Sequence, residues 1–416
     1  MKLSGVFQCV GATLAALATV ACFAAPHTGR VLQVGVPAPS LAGSLLPNPE
    51  RQPLLVYLPA AYRREPERRF PVVYYLPGFT TDVTEYLDQR IQGFSLGIFM
   101  DDLVRLGRVA PMIVVVVNGR NAVGGGFYVD SPVTGGWESY VVRDVVGWMD
   151  RTYRTIGESA ARGLAGDSMG GFGALHLAMR HPDVFGAVYA LSPGLFADVG
   201  PTREWLFASP EAIAADLALL EELGRLPEAA ARRRFLEAVD AMYGVREGGY
   251  RRAFAWAYGA AFAPAPDGAP PWVDYPFRRA TAGTPVASVE PLRRYAAGFG
   301  ALEDKVSTHR EALAGLRGLV LDYGRNDDLR WIPEGCERLS ALLKEAGVTH
   351  EVRAHDGGHD SWLRFRLERE LLPFFSERLE GAVRDENVDE RPVSLWPAAP
   401  PAPRPWPEYP ATGGAP

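Results

Sequence analysis

Residues 162–182 read RGLAGDSMGGFGALHLAMRHP, and the fold is decided there. A short apolar run, 163–165, leads into Gly166-Asp167-Ser168-Met169-Gly170, a G-x-S-x-G pattern. An amphipathic stretch, 172–180, follows and is stopped by His181-Pro182. Strand, tight turn, helix is the setting in which this pattern presents a serine as a nucleophile. Side chains at Gly166 and Gly170 would collide with neighbouring backbone, which explains the glycines. The turn also puts Ser168 at a helix N-terminus, where free N–H groups favour developing negative charge.

Outward from this turn the chain alternates short apolar runs with helical patterns. Runs at 54–58 and 72–76 are separated by a charged turn and suit an antiparallel pair. MIVVVV, 112–117, has the unbroken β-branched character of a strand buried on both faces. Further strands are expected at 187–191, 319–323 and 351–354. Helices are expected at 138–153, with Val141, Val145, Trp148 and Met149 on one face, and at 333–346, ending at Gly347. The alternation predicts an α/β fold with a mostly parallel central sheet and helices on both faces. Residues 196–305 break it. They hold helical patterns and an aromatic, proline-rich loop, read as a helical insertion over the functional edge of the sheet. Trp256, Tyr258, Phe262, Trp272, Tyr275 and Phe277 either line a pocket there or form the insertion's own core.

The chain has 416 residues, 47% of them hydrophobic and 22% charged, so it can bury a large core. A net charge of −6 argues against a broad basic face for nucleic acid. Residues 3–25 are apolar and small, preceded by Lys2. They read as a signal peptide cleaved before Pro26, which would place the protein outside the cytoplasm, in the periplasm or secreted. An uncleaved anchor and a lipidated Cys22 holding the chain to a membrane are the alternatives; Thr19 stands where lipidation sites usually carry Leu. Cys336 alone of three cysteines lies beyond the leader, so no internal disulfide forms in the mature chain. The expected division is leader 1–25, N-terminal extension 26–50, catalytic domain 51–382 and a proline-rich, extended tail 383–416.

A serine hydroxyl needs a base. Among seven histidines, His359 follows two glycines in AHDGGHD, directly before the final helix, on a loop able to reach the sheet edge; His355 is the runner-up. A metal reading of His355, Asp356 and His359 lacks further clustered ligands. The order Ser, acid, His places the acid after the run 319–323, at Asp327, with Asp328 the alternative, capping the next helix or pairing with Arg325 or Arg330. Oxyanion donors are expected at the N–H groups of Met169 and of Phe79, after Gly78 in YYLPGFT. The loop 118–137 should open on the same edge; Gly78 and, from the loop, Phe127, Tyr128, Asp130 and Trp137 are read as substrate-side residues, with a purely structural loop as the alternative.

These segments together, YYLPGFT, FYVDSPVTGGWESY, GDSMGGFGALHLAMRHPDVFGAVYALSPG and GRNDD…GGHDSW, resemble the esterase family of α/β hydrolases that includes S-formylglutathione hydrolases, enterochelin esterases, feruloyl esterases and mycolyltransferases. The resemblance covers residues 50–195 and 315–380. It implies the α/β-hydrolase fold, a serine esterase with Ser168, Asp327 and His359 as triad, a small-molecule ester as substrate, and no metal or organic cofactor. Residues 196–305 do not match the better-known members. An acyltransferase, a prolyl-oligopeptidase-like peptidase and a non-catalytic binding protein are the competing readings.

Overall fold

The computed structural model describes residues 28–384 apart from 88–90, 92, 198–205, 208, 246–247 and 281–283. The leader and nearly all of the expected tail therefore lie outside the described residues. Eight strands form one sheet: β1 Arg30–Pro37, β2 Arg51–Leu58, β3 Val72–Leu76, β4 Ile113–Val117, β5 Arg162–Asp167, β6 Ala187–Leu191, β7 Gly318–Gly324 and β8 Glu351–His355. Their spatial order is β1-β2-β4-β3-β5-β6-β7-β8. From β4 to β8 every pairing is parallel; β1 with β2 and β2 with β4 are antiparallel.

Two expectations are corrected here. The runs 54–58 and 72–76 do not pair, because β4 lies between them. All five β4 residues are buried and the strand is paired along both edges, so it needs an interior place, and the segment 59–71 is long enough to cross over it. The antiparallel partner of β2 is instead β1, with Val34 opposite Leu54. Residues 30–37 are thus the edge strand of the sheet, not an extension outside the domain.

Side-chain alternation splits the core into two layers. Val72, Tyr74 and Leu76 of β3 face one layer, with Ile113, Val115 and Val117 of β4. Val73 and Tyr75 face the other, with Val114 and Val116. On the second face lie α1, Leu96–Arg105, and the helical segment carrying Leu363, Leu367, Leu371 and Phe375. On the first face lie a helical run starting at Trp137, with a π-turn over Tyr140–Val145, and α2, Met169–Arg180. Val141, Val145 and Met149 are buried in that run, as their helical spacing predicts.

The insertion folds as α3 Pro210–Leu223, α4 Glu228–Tyr243, α5 Gly249–Phe262 and α6 Val289–Phe299, with a short ribbon of Phe277–Arg279 and Pro285–Ala287. Then α7, Trp331–Glu345, covers β7 and buries Cys336 completely. Gly347, with φ 72°, ends α7 in the left-handed conformation expected of a C-terminal cap. Among the described residues no helix is long and apolar enough to cross a membrane.

Candidate active site

Strand β5 feeds straight into α2, and Ser168 is the one residue between them. Its φ of 54° is costly for a residue with a side chain and persists only where the surroundings enforce it. They do so on both sides. The Ser168 N–H donates to the Leu191 carbonyl at 2.9 Å, and the Ser168 carbonyl accepts from the Gly194 N–H at 3.1 Å. The flanking glycines are required sterically. A Cβ on Gly166 would lie 2.5 Å from the Leu76 carbonyl oxygen, and one on Gly170 would fall inside the same oxygen. Met169 opens α2, so its N–H has no acceptor within the helix.

Asp327 stands just past β7 and is 1% exposed. One carboxylate oxygen accepts the Leu329 N–H at 2.9 Å, and the other faces His359 Nδ1 at 2.8 Å. Asp328, by contrast, is exposed and lines the cavity mouth; it neither caps α7, whose first flanking residue is Arg330, nor pairs with Arg325, which bridges to Asp356. Burial presses the His359 imidazole pKa down. The hydrogen bond that Nδ1–H donates to Asp327 and the negative charges of Asp327, Asp360 and Asp167 outweigh it, so the group lies above its ordinary 6.5. His355 is differently placed. It sits beside Asp322 and accepts the Gly357 N–H, and burial together with Arg366 lowers it to about 4.

Ser168 and His359 line one cavity of about 290 Å³. Phe79, Met169, Asp328, Leu329, Trp331 and Asp360 line it with them. Tyr250, Phe254 and Phe299, all from the insertion, form the rest. The Phe79 ring meets that of Phe254 edge-on at 4.8 Å, so the insertion rests directly on the loop after β3. Gly78 is not part of the wall. It permits close approach, because a Cβ there would stand 2.7 Å from an Asp167 carboxylate oxygen. Asp167 also accepts the Tyr75 hydroxyl at 2.8 Å, and burial raises its carboxyl to about 6 despite that bond.

The four expected substrate-side residues of the loop 118–137 are elsewhere. Tyr128 is fully buried and its hydroxyl donates to the Pro77 carbonyl at 3.0 Å. Trp137 is fully buried with its indole N–H on the Thr134 carbonyl at 2.8 Å. Asp130 is exposed and accepts the Ser139 N–H and hydroxyl, facing clefts separate from Ser168. Within the loop 118–137, Gly124 and Gly125 lie against Phe79 and Met169, whereas Tyr128 packs on α2, its ring atoms filling the space left by Gly173. Phe127 is likewise fully buried, in contact with Phe79 and Phe254.

The insertion aromatics divide in the same way. Trp256 stacks on Tyr275 at 5.0 Å, and both donate to the buried Asp216 carboxylate, which also holds Arg252. Tyr258 is fully buried, and Phe277 packs on Phe207. These are the insertion's own core, with Trp272 buried beside them, and Phe262 lines a different cleft with His176 and Lys305. The residues that do reach the cavity from α5, Tyr250 and Phe254, are four apart, so a search for an aromatic pair on one helical face would have found them. Phe299 ends α6 and carries no such signal. Among the described residues no group of acids, histidines and cysteines is arranged to hold a metal ion.

An eight-stranded sheet of this order, with a serine at positive φ between β5 and α2 and an Asp-bonded histidine after β8, defines the α/β-hydrolase fold. Residues 49–254 match the family described as "Putative esterase", so the resemblance to esterases read in the sequence stands. An esterase of Mycobacterium tuberculosis is 34% identical over 157 residues, 36% of this chain and 31% of that protein. An endo-1,4-beta-xylanase/feruloyl esterase of Xylanibacter ruminicola is 28% identical over 144 residues, 34% of this chain and 19% of that protein. The matched stretch is thus less than a third of the length of either relative. A ferulic acid esterase structure superposes with a TM-score of 0.54 at 19% identity, over 85% of this chain and 99% of that one, a likeness of fold.

Proposed function

We propose that this protein is a serine carboxylic-ester hydrolase working through an acyl-enzyme on Ser168. The supporting observation is the 2.8 Å contact of Asp327 with His359 Nδ1, on a histidine that shares a cavity with the strained Ser168. With Nδ1 facing the acid, His359 presents Nε2 as the base. Ser168 Oγ attacks the ester carbonyl as Nε2 takes its proton. The oxyanion accepts hydrogen bonds from the N–H groups of Met169 and Phe79. Nε2 returns the proton to the departing alcohol oxygen. Water, deprotonated by the same nitrogen, then cleaves the acyl-serine, and the proton passes back to Oγ. The apolar wall from Phe79, Phe254 and Phe299 suits an ester with a bulky apolar or aromatic group.

The expected outcome for Ser168→Ala is a loss of about a thousandfold or more in kcat on a p-nitrophenyl ester, with no labelling by a fluorophosphonate and an unchanged circular dichroism spectrum. Parental turnover in that variant would falsify the assignment. Export is part of the same reading and is supported by the apolar stretch 3–25. N-terminal sequencing of exported protein should begin near Pro26; a chain that keeps residues 1–25 and stays in the cytoplasm overturns it.

A further inference from the structure

The tetrapeptide Leu191-Ser192-Pro193-Gly194, at the end of β6, touches both halves of the proposed catalytic machinery. Leu191 and Gly194 hold the backbone of Ser168 from either side, at 2.9 and 3.1 Å. Between them, the Ser192 hydroxyl donates to the carbonyl oxygen of His359 at 3.1 Å. Ser192 is 2% exposed and has a φ of 39°, a second enforced positive-φ serine beside the first. What enforces it is a buried anchor. The Ser192 N–H donates to the Asp322 carbonyl at 2.6 Å. The Asp322 carboxylate is in turn held by Arg366 at 2.8 Å and by the Tyr189 hydroxyl at 2.7 Å. Asp322 lies on β7, the strand that leads to Asp327.

We propose that Ser192 is a positioning residue that fixes the His359 loop relative to Ser168. His359 follows Gly357 and Gly358, which by themselves leave the loop backbone free to move. One end of the loop is tied toward the acid, through the Asn326 N–H on the Gly357 carbonyl at 3.1 Å. Ser192 ties the His359 backbone itself, and does so from the segment that also sets the nucleophile. A base held only by Asp327 can swing about that contact; a second tie at its carbonyl fixes the distance to Oγ. Misplacement of a catalytic group by a fraction of an ångström weakens the chemical step and leaves substrate binding intact.

The role rests on the catalytic reading above, and the test separates the two. Ser192→Ala removes the hydroxyl and keeps the strain. Ser192→Gly removes the hydroxyl and relaxes the positive φ, so it loses less stability than Ser192→Ala. Both variants are expected to lose about tenfold in kcat and in the rate of fluorophosphonate labelling, with KM within about twofold of the parent and the Ser192→Gly melting temperature above that of Ser192→Ala. Ester turnover lost in Ser168→Ala but retained in full by Ser192→Gly overturns the positioning role alone. So does a loss confined to Ser192→Ala that follows its melting temperature, which marks Ser192 as structural only. Turnover that survives Ser168→Ala overturns the catalytic reading and this role with it.

Discussion

At the turn between β5 and α2, each residue type answers to a backbone atom a few residues away. Gly166 and Gly170 leave room for the Leu76 carbonyl, and Ser168 is clamped by Leu191 and Gly194. In the insertion, residues 209–299, the requirements are of another kind. Asp216 is kept by Arg252, Trp256 and Tyr275, partners distant in sequence, and aromatic rings fill whatever space the helices leave. The first region tolerates one solution, so it can be read as a pattern. The second tolerates many packings of similar volume, so its sequence says that it is buried without saying against what. Both end in the same cavity: the turn brings Ser168 and Met169, and the insertion brings Tyr250, Phe254 and Phe299.

The comparison breaks most sharply at Gly170. If the turn is as constrained as its contacts indicate, Gly170→Ala pushes a methyl into the Leu76 carbonyl and destabilises the fold by about 3 kcal/mol. Urea unfolding reads this, and a variant as stable as the parent would show that the turn relaxes cheaply. The insertion should respond in binding instead. Phe254→Ala is expected to raise KM for esters of apolar acids about tenfold while kcat stays within about threefold, since the ring contributes buried apolar surface and no reacting group. A fall in kcat with KM unchanged would place Phe254 in the chemistry and dissolve the distinction.

The smallest effect lies where the two regions meet, at the carboxylate of Asp360. His359 must be neutral to act as base, and its pKa is raised above 6.5, so kcat/KM falls as pH drops through that raised value. The charge of Asp360 is one of the causes of the rise. Asp360→Asn should therefore move the acid limb of the kcat/KM profile to lower pH, with a similar plateau. A limb that stays in place, or moves up, would mean that Asp360 does not act on His359 electrostatically.

Much of the site was legible. The G-x-S-x-G turn, the strand and helix around it, and the Asp327–His359 partnership all follow from local pattern and chain order, and the structure places them as expected. The failures share a cause. The pairing assigned to the runs 54–58 and 72–76 assumed that neighbours in sequence are neighbours in the sheet, yet β4 comes between them. Tyr128, Asp130 and Trp137 were placed on the substrate side because their loop follows a parallel strand, but Tyr128 packs on α2, Trp137 is buried and Asp130 faces other clefts, as the structural-loop alternative has it. Neither alternation nor composition carries the direction in which a long loop leaves the sheet.

What the sequence alone determined is the tight turn at Ser168 and the order of Ser168, Asp327 and His359 along the strands. Those depend on steric demands within a few residues and on strands whose burial is written in their β-branched runs. The tertiary structure decided the outline of the cavity, the strand that completes the sheet edge at residues 30–37, and the tie from Ser192 to His359, a contact across 167 residues. Such contacts are fixed by how whole layers pack, and packing depends on volumes and directions summed over many side chains, which no single stretch of sequence contains.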